Sequence, residues 1–74
     1  MELPNLRLVR EQALLTQREL AARAGLTQAT VQRIESGATR ARISTVRRLA
    51  EALGVDARKL MVRPDNAHRE GSRR

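Results

Sequence analysis

Apolar residues along this chain recur at helical spacing in five short stretches, each with its own start and stop signals. The first covers residues 5–13. Leu6, Val9 and Ala13 form one apolar stripe, Asn5 is the expected N-cap, and Pro4 bars helix much earlier. The second opens at Thr16. Thr16-Gln17-Arg18-Glu19 has the spacing of a capping box, and Leu15 and Leu20 stand where a hydrophobic staple needs them. It stops at Gly25, a residue suited to the left-handed turn after a helix. The third runs from the cap Thr27 to Gly37, with Val31 and Ile34 inward. The fourth spans about residues 44–53, with Val46, Leu49, Ala50 and Leu53 on one side and Gly54 as the stop. The fifth is short, capped by Asp56, with Leu60 and Met61 inward. Alternating β-branched runs are missing, so no strand is predicted. The fold class expected is all-α: a compact domain of five helices over residues 1–62. From Arg63 to Arg74 periodicity stops, and a disordered basic tail is expected.

Composition narrows the core and the chemistry. The chain has no Phe, Tyr or Trp among its 74 residues, so Leu, Val, Ile and Ala must fill the interior. The same lack argues against single-stranded nucleic acid, whose bases stack on aromatic platforms. With no cysteine there is no disulfide, no thiol catalysis and no Cys-ligated zinc. The one histidine, His68, lies in the tail, so no metal site and no cofactor are expected. Ser36, Ser44 and His68 make no triad and no carboxylates cluster as a dyad, so an enzyme is not expected. No apolar run exceeds three residues, which leaves no membrane span and no signal-peptide core. A cytoplasmic, nucleoid-associated protein is the expectation. The net charge of +7 calls for an anionic partner, and without aromatics a duplex backbone suits it best.

Residues 16–37 sharpen this. Two short capped helices are joined by Ala24-Gly25-Leu26-Thr27. Gly25 permits the positive φ of a sharp turn, Ala21 is small where the helices approach, and Leu26 plugs the turn. This is the helix-turn-helix layout, whose second helix enters a major groove. With Val31 and Ile34 inward, the 100° step per residue sends Ala29, Gln32, Arg33 and Ser36 outward, with Gln28 at the tip. Gln pairs bidentately with adenine, Arg with guanine, and Ala contacts a thymine methyl. Gln28, Ala29, Gln32 and Arg33 are therefore the candidate base readers.

The chain resembles the Cro/phage-repressor-type helix-turn-helix family over about residues 6–62. The residues that carry the likeness are Arg10, Leu15-Thr16-Gln17, Glu19-Leu20-Ala21, Ala24-Gly25, Thr27-Gln28, Val31, Ile34-Glu35-Ser36-Gly37, Leu49-Ala50, Ala52-Leu53-Gly54-Val55 and Leu60. The resemblance implies a lambda-repressor-like domain and a sequence-specific regulator of transcription, a repressor by expectation, bound to double-stranded DNA. It implies phosphate contacts from Gln17 and Thr27, and from Thr39, Arg40 and Arg42 in the loop after helix three. It also implies a structural ion pair between Arg10 and Glu35. Many relatives carry Pro in that loop where Ala41 stands here, so a looser loop is expected. One reading head covers only about 4–6 base pairs, so a homodimer on a two-fold site is expected, joined around residues 55–61. The alternative is an antitoxin or adaptor that uses the same fold to hold a protein partner, with Leu3, Leu8 and Leu14 as apolar handles. Non-specific DNA compaction is a third reading.

Overall fold

The computed structural model describes residues 1–64, and the tail expected over residues 63–74 lies almost wholly outside them. Five helices follow in order: α1 (Leu6–Gln12), α2 (Gln17–Ala24), α3 (Gln28–Ser36), α4 (Ile43–Leu53) and α5 (Ala57–Met61). The fold is all-α, with α2 packed against both α3 and α4 and α5 closing over α4 and α1. Leu6, Leu20, Val31, Val46, Leu49 and Leu60 are sealed from solvent, so each helix contributes at least one residue to the centre. Aliphatic side chains alone fill this core, and burying one such side chain contributes about 1.5–3 kcal/mol.

Capping sets the element boundaries. Thr16 Oγ1 accepts from the Glu19 amide at 3.0 Å, and Glu19 Oε1 accepts from the Thr16 amide at 2.8 Å, which closes the capping box that starts α2. Gly25 takes φ +71°, and the Leu26 amide reaches back to the Ala21 carbonyl at 2.8 Å. That bond turns the chain sharply into α3, which Thr27 starts by accepting from the Thr30 amide. α4 begins at Ile43, one residue before the expected start, with Arg42 in the cap position and no side-chain cap bond.

Four expectations need correction. Asn5 does not cap α1 with its side chain. It is buried, and its Nδ2 donates to the Lys59 carbonyl at 2.8 Å while its amide donates to the Leu60 carbonyl at 3.2 Å. Asn5 thus ties the start of α1 to the end of α5, a long-range role that local spacing does not reveal. Ala13 lies exposed rather than on the inward stripe, because α1 ends at Gln12 before the stripe repeats. Leu3 is buried in the core and offers no handle to a partner. Ala41 is also buried, and its amide and carbonyl are both bonded to residue 1, so the loop before α4 is held.

Candidate nucleic-acid interface

The outer face of α3 carries the base-reading candidates. Gln28, Ala29, Gln32, Arg33 and Ser36 are all exposed, while Val31 and Ile34 are buried behind them. The helix stands as a ridge between two grooves. In one, Gln32 faces Gln17, Arg7, Arg10, Glu35 and Ser36. In the other, Arg33 and Thr30 face Thr39, Arg40, Ala41, Arg42 and Thr45. The 100° step explains the division, since Gln32 and Arg33 flank the outermost line of Ala29 and Ser36 on opposite sides.

The expected phosphate contacts therefore fall in two places. Gln17 is the first residue of α2, where unpaired backbone donors and the helix dipole favour an anion. Its side chain is engaged: Nε2 donates to Glu35 Oε1 at 3.0 Å. One hydrogen of that amide is thus held by a carboxylate and the other remains to donate outward. Thr39, Arg40 and Arg42 lie together on the far side of α3, all exposed. Thr27 is exposed, with its hydroxyl shared between the Thr30 amide and the Thr30 hydroxyl. It sits at the α3 tip and belongs to neither groove.

Arg10 and Glu35 form the rigid base under this face. Arg10 Nε donates to Glu35 Oε2 at 2.6 Å, and its Nη2 donates to Glu35 Oε1 at 3.1 Å. A third bond runs from Arg10 Nη1 to the Leu15 carbonyl at 2.8 Å. One guanidinium thereby joins α1, the α1–α2 turn and the end of α3. The hydrogen bond to Glu35 raises the Arg10 pKa above its ordinary value, against the opposing pull of burial.

Among the described residues the ion pairs are Arg7–Glu11, Arg10–Glu35 and Asp56–Arg58. Arg33, Arg40 and Arg42 pair with no carboxylate there, so their charge is available to a polyanion. Arg7, Thr30 and Thr45 also line the grooves, though sequence reading did not single them out. Arg7 sits one residue after a buried position and reads as ordinary helix surface. Thr30 and Thr45 come from different helices, and only the fold brings them together. In the segment expected to join two copies, Leu60 is sealed and Val55, Ala57 and Met61 lie half-buried against the core.

Two capped helices, a left-handed glycine turn and an outward polar ridge define a helix-turn-helix DNA-binding module. A family model described as helix-turn-helix matches residues 6–60. No curated protein matches the chain. Among solved structures, the chain is similar to a hypothetical transcription factor from Neisseria. Identity is 32% and the TM-score 0.82, over 88% of this chain and 73% of that one. The chain belongs to the Cro/phage-repressor-type helix-turn-helix family, a family of DNA-binding transcription factors and not of enzymes. No helix among the described residues is long and apolar enough to cross a membrane.

Proposed function

We propose that this protein is a sequence-specific regulator that acts by occupying a duplex site inside the cell, with repression as its mode. The observation that carries this is the division of labour around α3. Gln28, Ala29, Gln32 and Arg33 stand exposed on the ridge, while Gln17 lines the groove on one flank and Arg40 and Arg42 line the groove on the other. Bases are read by the ridge, and the flanks fix its register on the backbone. The likeness to a hypothetical transcription factor supports the regulatory role. Repression is the mode proposed because occupancy of a promoter by a DNA-binding domain is enough to block access to it.

The small reading head supports a homodimer on a two-fold site, with half-sites about one helical turn apart. In-vitro selection from random duplexes tests both points. Enrichment of a palindrome is expected. Enrichment of a single asymmetric site would remove the dimer, and no enrichment would remove the sequence-specific reading.

A further inference from the structure

The segment before α1 binds the loop between α3 and α4. The Ala41 amide donates to the Met1 carbonyl at 2.8 Å, and the Met1 nitrogen donates to the Ala41 carbonyl at 2.6 Å. This is a two-way backbone bridge between points 40 residues apart. Leu3, two residues on, is buried in the core, and the Leu6 amide bonds to its carbonyl at 3.1 Å. The segment is therefore anchored at both ends. Glu2, Leu3 and Pro4 share a groove with Ser36, Gly37 and Thr39, so the contact continues along the end of α3.

The bridge falls on the residue between two exposed cations. Ala41 is buried while Arg40 and Arg42 are exposed, and Arg42 has extended backbone. Ala41 is thus fixed between the two arginines, which line one groove with Arg33. The contact also gives a physical account of Ala at this place, because Pro has no amide hydrogen to donate to residue 1.

We propose that residues 1–3 are a strap that pre-sets the DNA-facing loop, so that Arg40 and Arg42 meet the phosphates without a further ordering cost. This rests on the DNA-binding reading above. Residues 1–3 are positioning residues, acting through Ala41 and touching no nucleic acid themselves.

The test uses the full chain and two readouts. The variants are Leu3→Ala, which loosens the anchor, and a Gly-Gly insertion between Glu2 and Leu3, which lengthens the strap and leaves the core intact. Amide hydrogen exchange at Ala41 should accelerate about threefold to tenfold in both, the range expected for loss of one hydrogen bond. Affinity for a duplex recovered by selection should fall by a similar factor. Arg42→Ala should cost less affinity in either variant than in the parent, whereas Gln17→Ala should cost the same in all three. Mere destabilisation would not produce that selective coupling. Unchanged exchange at Ala41 in both variants would overturn the strap. Faster exchange with unaltered affinity and an unaltered Arg42 effect would overturn its role and leave the DNA-binding reading standing. If the parent chain binds no duplex, that reading fails, and the strap's role in binding fails with it.

Discussion

Arg10 holds both carboxylate oxygens of Glu35, at 2.6 and 3.1 Å, with side chains only 10% and 4% exposed. The pair fixes the end of α3 to α1, and Glu35 also takes the Gln17 amide. Removing one partner strands a buried charge. Arg10→Ala or Glu35→Ala should therefore cost about 3–5 kcal/mol in denaturant unfolding, a large share of what a small domain has. Replacing both together, Arg10→Met with Glu35→Leu, should cost far less, because no charge is then left unpaired. A double variant as unstable as the worse single one would show that the pair does more than compensate charge.

Leu14 is the one non-glycine residue with positive φ among those described, at +60°, and it is 88% exposed. It lies in the turn after α1, where the Leu15 amide bonds back to the Arg10 carbonyl at 3.2 Å. The left-handed region costs an L-residue roughly 1–2 kcal/mol, a cost Gly escapes, although its greater loss of chain entropy on folding offsets part of the gain. Leu14→Gly should stabilise the domain by about 0.5–1 kcal/mol, read as a raised unfolding midpoint with unchanged slope. A destabilised variant would mean that the exposed leucine packs on something in solution.

Acid stability should follow the caps. The Thr16 backbone and side chain hold the Glu19 carboxyl below its usual pKa, and Arg58 does the same for Asp56. A depressed native pKa contributes stability that is full above the unfolded value, about 4, and is lost as pH falls through the native value. Stability should therefore drop below about pH 4. Glu19→Gln should flatten part of that drop, because its amide oxygen still accepts from Thr16 but does not titrate. Parallel melting curves for parent and variant down to pH 2 would exclude a role for the α2 cap.

Much of this was legible in the sequence, because its signals are local. The Thr16–Glu19 box, the glycine stops and the spacing of Val31 with Ile34 each lie within one turn, and they determine which face of α3 looks outward. What spacing left open depends on contacts between distant segments. Asn5 looked like a cap because Asn before an apolar stripe commonly caps. Its bond to Lys59 became visible only when α5 was in place. Leu3 looked like a surface handle because nothing nearby buries it, and the core that does so comes from other helices. Ala41 looked like a weakened loop because the lost Pro is a local fact, whereas the bridge to residue 1 is not. At the site, the grouping of Arg33 with Arg40 and Arg42 needed the path of the loop.

The two flanks of α3 should respond differently to salt. On the proposed reading Arg42 meets a phosphate with its charge, so Arg42→Ala should weaken all duplexes alike and lower the slope of log K against log salt by about 1. Gln17 is neutral, so Gln17→Ala should also weaken all duplexes alike but leave the slope unchanged. Titrations from low to physiological salt distinguish the two. A lowered slope for Gln17→Ala would mean that α2 itself shifts on the backbone.

The central claim is that α3 reads bases, and Arg33 tests it most directly. The measurement is competitive binding of parent and Arg33→Ala to the selected duplex and to each of its single-base variants. The parent should lose about 1–3 kcal/mol at each base pair it reads. In Arg33→Ala that discrimination should vanish at one base step and persist elsewhere. If the variant binds every sequence more weakly by one common factor, with the discrimination profile intact, Arg33 is a backbone contact. If the parent itself shows no discrimination, α3 does not read the sequence.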